Sequence, residues 1–187
     1  LHVAGLVREL KKVRIAPDLR IASFVMLGDT RLIEKCADAL YEKIKGLGDI
    51  NMLVCPEAKG IPLTHALAVR MGVDYVVARK SVKGYMEHPI IAEVKSITTT
   101  EKQVIVIDEF DAAKLDGKKV CVVDDVVSTG GSLRSLEEVL AKTGCTVISK
   151  VCLRRAAILT TTSYIWKGFP SSKISKTNVK MARPPYF

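Results

Sequence analysis

A chain of 187 residues, 48% hydrophobic and 26% charged, has the composition of one globular domain with enough length to bury a core. No apolar run reaches membrane-spanning length, and the first residues lack the charged-then-apolar layout of a secretory signal, so no membrane partner is expected. The net charge of +9 would suit nucleic acid, but residues 156–187 hold five basic residues and no acid, leaving only +4 for residues 1–155. That modest excess fits a polyanionic small molecule better than a nucleic-acid surface.

In chain order, Val3 to Arg14 is a short amphipathic or extended stretch, interrupted at Pro17 and Asp18. Leu19 to Leu27 is apolar and ambiguous between strand and buried loop. Gly28-Asp29-Thr30 starts a helix whose Ile33, Cys36, Ala37, Leu40 and Ile44 share one face, and Gly46 ends it. The buried strand Met52 to Cys55 runs into the turn Pro56-Glu57-Ala58-Lys59-Gly60, and a helix follows from about Pro62 to Met71. Tyr75 to Ala78 is the next strand and ends in Arg79-Lys80. Residues 81–89 read as loop. Ile90 to Ile97 and Gln103 to Ile107 read as the arms of a hairpin around Thr98-Thr99-Thr100-Glu101. Leu115-Asp116-Gly117 turns the chain into another strand.

That strand, Val120 to Val123, is a continuous apolar run suited to a parallel sheet covered on both faces. Asp124 and Asp125 close it. Val126-Val127-Ser128-Thr129-Gly130-Gly131-Ser132 then leads to a helix from Ser132 to Thr143, and Cys145 to Leu153 is the last core strand. A strand, a small-residue turn and a helix start form an anion site, because the first helical N–H groups are unpaired and glycine admits a phosphate closely. Two acids beside such a site repel an anion unless the ligand also brings hydroxyl donors or Mg²⁺. A ribose 5-phosphate meets that condition. An ordinary strand–loop–helix junction with solvated acids would show the same residues.

The run from Val120 to Ser132 resembles the phosphoribosyl pyrophosphate signature of the type I phosphoribosyltransferases, in which two acids precede a Thr-Gly-Gly turn. Together with Pro56 to Pro62 and Arg79-Lys80, it is most similar to the adenine-directed branch over about residues 15–155. The resemblance implies an α/β fold, a mainly parallel sheet with helices on both faces, and a small hood over the base. It implies transfer of ribose 5-phosphate from phosphoribosyl pyrophosphate to a purine base, with Mg²⁺, by a cytoplasmic homodimer. In its terms Val127, Ser128, Thr129, Gly130, Gly131 and Ser132 cradle the 5-phosphate. Asp124 and Asp125 hold the ribose hydroxyls near the reacting carbon, with Mg²⁺ carried mainly by the substrate, and Ala58, Lys59 and Gly60 form the pyrophosphate loop. Arg79, Lys80 and Lys83 supply cations for the leaving group, although Lys83 suits a solvated basic loop equally well. Residues 81–102 correspond to a closing catalytic loop, with Glu101 the nearest match to its glutamate and a solvated hairpin tip the plainer reading.

The domain reading is a hood segment over residues 1–28, a core over 29–155 and an atypical basic tail over 156–187. Where the adenine enzymes carry an aromatic followed by Arg, this chain has Leu19 and Arg20, with Phe24 as a substitute for stacking. A regulator that senses phosphoribosyl pyrophosphate without catalysis is the alternative reading. Cys36, Cys55, Cys121, Cys145 and Cys152 show no C-x-x-C spacing and read as thiols of a reducing compartment. His65 is expected on a helix surface or in the core, not in chemistry. Leu1 is not Met, which leaves an upstream start open.

Overall fold

A computed structural model describes residues 1–16, 19–94, 103–127, 130–155 and 164–166. The chain enters through two short antiparallel pairs. β1 (His2–Val3) and β2 (Leu6–Val7) close over Ala4 and Gly5, both at positive φ, the two-residue turn that matches strand twist. β3 (Lys11–Ala16) pairs with β4 (Leu19–Ser23), so the ambiguous run at Leu19 begins as a strand. α1 (Thr30–Ile44) follows, with Asp29 as its N-cap. The Asp29 carboxylate accepts the Leu32 N–H at 3.0 Å and two N–H groups of Arg8, which ties the entry strands to the helix start.

Strand and helix then alternate. β5 (Met52–Pro56), α2 (Ile61–Met71) and β6 (Asp74–Ala78) come first, then β7 (Ile90–Val94), β8 (Gln103–Ile107) and α3 (Glu109–Leu115). β9 (Lys119–Val127), α4 (Gly131–Leu140), β10 (Thr146–Arg155) and β11 (Tyr164–Trp166) complete the order. The central sheet runs β11-β10-β9-β5-β6. Its β10, β9, β5 and β6 are parallel, as the alternation requires, and β11 adds an antiparallel edge.

Alternate residues along the strands divide between two cores. Leu53, Cys121, Val123, Val151 and Leu153 pack with α1 and α2. Met52, Val54, Val76, Val120 and Val122 pack with α3, α4 and the β7–β8 pair. This two-sided burial explains why β5 and β9 read as unbroken apolar runs rather than alternating ones.

One expectation changes, and two features lie beyond the sequence reading. β9 does not end at the acids: its parallel ladder with β10 continues through Val126 opposite Arg154 and Val127 opposite Arg155. The hairpin arms pair as expected, Ile90 opposite Ile107, but form a separate two-stranded sheet, joined to Arg79 only by an isolated bridge at Val106. The chain before Leu115 is helical, α3 being capped by Asp108, whose carboxylate accepts the Phe110 N–H at 2.9 Å. Within residues 156–187, Tyr164–Trp166 is a strand, with Ile165 opposite Val151.

None of the five cysteines forms a disulfide, and all but Cys145 are buried. Burial pushes Cys36, Cys55 and Cys121 up to about 11, as inert thiols should be. Among the described residues no helix is long and apolar enough to cross a membrane.

Candidate active site

β5, β6 and β9 are parallel neighbours, with Leu53 opposite Cys121 and Pro56 opposite Ala78, so the segments after all three leave one edge of the sheet. Ligands of such sheets bind at that edge.

The first segment turns sharply into α2. The Glu57 N–H donates to the Ala78 carbonyl at 2.8 Å, the Glu57–Ala58 peptide is cis, and the Thr64 hydroxyl donates to the Gly60 carbonyl at 2.8 Å. Ala58 and Lys59 are exposed and Gly60 is buried. A Cβ on Gly60 would lie 3.5 Å from both the Asp124 Cα and its Oδ1. The Ala58-Lys59-Gly60 turn therefore rests directly on Asp124 of the neighbouring strand.

The second segment begins at Arg79, whose backbone is fixed by two hydrogen bonds to Val106, at 2.7 and 2.8 Å. Its guanidinium and the Lys80 N–H both donate to the Glu57 carboxylate, at 3.4 and 3.1 Å. The Lys80 N–H, followed by the charges of Lys83 and Arg79, holds the Glu57 carboxyl below the usual carboxylate range. The Lys83 ammonium donates to the Ser81 hydroxyl at 2.8 Å, leaving the loop cationic.

The acids lie within β9, just ahead of the third segment. The Asp124 Oδ1 accepts the Asp125 N–H at 2.9 Å, and the Asp125 Oδ1 accepts the Val126 N–H at 2.8 Å. Asp125 is 5% exposed, and its Oδ2 is buried without a hydrogen-bond partner. Asp124 is pushed up to about 7, first by burial and then by the charge of Asp125, while Lys80 pulls the other way. Val127 ends the strand. Gly130 stands at the N-cap of α4 with φ +79, a conformation that favours glycine, and provides no side-chain cap for Gly131 and Ser132 in the first turn.

The structure thus brings together Ala58, Lys59, Gly60, Arg79, Lys80, Asp124 and Asp125. Ser128, Thr129 and Glu101 lie outside the described residues. Arg20 lies on β4 opposite Arg14, and Phe24 packs against the α1–α2 core, a structural use of its ring. His65 is exposed and meets Tyr75 edge-on, as a surface residue should. The residue that sequence reasoning passed over is Glu57. Sequence offered only half of the signal, an acid heading the turn; that Arg79 lies beside it follows from the register, with Pro56 opposite Ala78.

The chain resembles known proteins in both sequence and fold. Residues 26–183 match the phosphoribosyl transferase domain model. An adenine phosphoribosyltransferase of Thermosipho melanesiensis is 30% identical over 91% of this chain and 93% of its own. A hypoxanthine/guanine phosphoribosyltransferase of Methanothermus fervidus is 35% identical over 63% of this chain and 58% of its own length. Among solved structures, adenine phosphoribosyltransferase from Thermoanaerobacter pseudethanolicus shares the fold at TM-score 0.66 and 24% identity, covering 78% of this chain and 83% of that one. The Saccharomyces cerevisiae enzyme, solved with an imino-altritol bisphosphate and adenine, gives 0.64 at 22%, covering 78% and 84%. The chain belongs to the phosphoribosyltransferase family and, within it, to the purine phosphoribosyltransferases.

Proposed function

We propose that the enzyme transfers the 5-phosphoribosyl group of phosphoribosyl pyrophosphate to adenine, releasing AMP and pyrophosphate. The observation that carries this reading is the contact between the Ala58–Gly60 turn and Asp124. It puts an anion-binding turn beside acids that bear more negative charge than the surrounding protein neutralises. A donor with a diphosphate at one carbon and a diol at the next two has the matching chemistry. Adenine is favoured over other purines because the relative similar over nearly its whole length is an adenine enzyme.

In this reading Asp124 and Asp125 accept hydrogen bonds from the ribose hydroxyls and stabilise positive charge developing at the anomeric carbon. The first turn of α4, with Val127 to Ser132, receives the 5-phosphate. Lys59, Arg79, Lys80 and Lys83 hold the diphosphate as the carbon–oxygen bond breaks and it leaves with the bonding electrons. The new bond comes from a purine ring nitrogen, whose proton passes to solvent. No protein nucleophile is needed. The resemblance puts Arg20 on the base side and Glu101 in the closing loop, while Phe24 is taken up by the α1–α2 core. The resemblance also implies a cytoplasmic homodimer, which sedimentation would test.

The donor set fits Mg²⁺. Asp124 and Asp125 offer hard carboxylate oxygens, one of them unpartnered. Among the described residues no group of three or more His, Cys, Asp or Glu could hold a metal, so the fit is to an ion that takes its remaining ligands from a diphosphate. When bound, it would neutralise charge on the leaving group.

Pyrophosphate release measured with adenine, hypoxanthine, guanine, xanthine and orotate tests the reading. Adenine should be the preferred acceptor. Faster turnover with hypoxanthine or guanine would overturn the choice of base, and phosphoribosyl pyrophosphate binding without turnover on any base would favour a sensor.

A further inference from the structure

One carboxylate at this edge has no part in the reaction above. Glu57 heads the anion-binding turn, where a negative charge opposes the ligand, yet it does not cap the helix that follows. The N-cap of α2 is Gly60. Instead the Glu57 side chain reaches sideways to the next segment, accepting the Lys80 N–H at 3.1 Å and an Arg79 guanidinium N–H at 3.4 Å. Two donors on a carboxylate held below its usual range make it unsuited to proton transfer.

We propose that Glu57 is a positioning residue for the departing diphosphate: its single carboxylate links the Ala58–Gly60 turn to Arg79 and Lys80 and presents both anion-binding segments as one unit. The inference rests on the reading of those two segments as the diphosphate site. What Glu57 fixes is specific. The Arg79 backbone is already locked to Val106 in both directions, so the fold does not depend on Glu57 there. The guanidinium and the Lys80 amide do depend on it, and through them the placement of the cations. The charge of Lys80 is felt at Asp124 and that of Lys83 at Glu57, so one anchor sets the array between the turn and the acids. Losing it should therefore cost ligand binding and leave folding nearly intact.

Glu57→Ala and Glu57→Gln are compared with the wild type in calorimetric titrations of inorganic pyrophosphate with magnesium, in KM for phosphoribosyl pyrophosphate and for adenine, and in Tm. Glu57→Ala should weaken pyrophosphate about tenfold and raise the KM of the diphosphate substrate equally, the size of a lost charge-assisted anchor. The KM for adenine should stay within about twofold. Glu57→Gln keeps an oxygen for the Lys80 N–H and should recover part of the loss. If Glu57→Ala does not fold, Glu57→Gln decides, with a weakening of about threefold expected. Unchanged or tighter pyrophosphate binding in the folded variant, or an equal rise in both KM values, overturns the proposal. Lys59→Ala separates the two levels of inference. If it weakens pyrophosphate and Glu57→Ala does not, only the positioning role fails. If neither does, the diphosphate reading fails with it.

Discussion

Two groups of charges meet at the same sheet edge and are treated in opposite ways. Around Glu57 the signs alternate: one carboxylate takes two donors from Arg79 and Lys80 and stays ionised. Within β9 like charges are adjacent: Asp124 is driven up to about 7, and Asp125 keeps a buried oxygen without a partner. Gly60 lies against Asp124, so the two regions touch. The first is complete without ligand and can be rigid beforehand. The second holds a desolvated pair of like charges, which a ligand with donors or a cation would relieve. In the proposed reading, affinity comes from the place where the folded protein is least satisfied.

The largest test of the contrast is Asp124→Asn. It removes the desolvated like-charge pair while keeping shape. Turnover per KM should fall about 10²- to 10³-fold, the usual loss when an electrostatic partner of a transition state is removed. Tm should nevertheless rise, since the amide ends the repulsion from Asp125 and removes one desolvated charge, worth about 1–2 kcal/mol, or a few degrees in a chain of this size. Activity assays and thermal scans on one preparation check both. A falling Tm would show that the acid corner is held as comfortably as Glu57.

pH sharpens the same contrast. Asp124 has a folded value of about 7 against an ordinary 3.8, so the folded chain binds more protons than the unfolded one between those limits. Stability from this group is therefore full below about pH 4, declines as pH rises toward 7, and is flat above. Asp124→Asn should lack that slope. Donor affinity should run the other way, because hydroxyl donors and Mg²⁺ need the ionised form. Below pH 7 the affinity should drop by up to about tenfold per unit, and a titration series at pH 5.5 to 8 measures it.

What the sequence made legible follows from the same physics. Strands buried on both faces announce themselves as apolar runs, which is why Met52 to Cys55 and Val120 to Val123 could be placed. Asp29 and Gly46 punctuate α1 by local chemistry, so its boundaries were readable within a few residues. α3 was not: seven residues give barely two turns, too few for a periodic pattern to stand out. Nor was the continuation of β9 past two acids, since pairing with β10 is a non-local event that no adjacent residue encodes. Within the site, residue types could be read but partnerships could not. Asp124 and Asp125 were visible as a pair, whereas the bond from Glu57 to Arg79 needs the register of β5 against β6.

Gly60→Ala probes the boundary between the two regions. The backbone there has φ −73, open to alanine, and the added Cβ would meet Asp124 at 3.5 Å, an ordinary contact. Folding should hardly notice, with Tm within about 2 °C. The methyl would cover part of the Asp124 carboxylate and stiffen the turn that carries Lys59. KM for phosphoribosyl pyrophosphate should rise about fivefold with the KM of the base unchanged, which steady-state kinetics resolves. A large loss of stability instead would mean that glycine serves packing here, not ligand approach.

The smallest effect belongs to a pairing far from the edge, and it supplies the control. Arg70 on α2 donates to Asp38 at 2.8 Å and to Glu34 at 2.6 Å on α1, and also to the Ala66 carbonyl at 2.8 Å, joining two helices with alternating charge. Both carboxylates are about half exposed, so solvent screening limits the network to about 1 kcal/mol. Arg70→Ala should lower Tm by about 2–4 °C and leave every kinetic constant in place. Glu57→Ala should do the reverse, sparing Tm and weakening the diphosphate. Charge pairs of similar appearance would then separate into those that hold helices together and those that hold a ligand site ready, and the separating variable is whether the backbone beneath them is already fixed. If Arg70→Ala also weakened pyrophosphate, position at the sheet edge would cease to explain what Glu57 does.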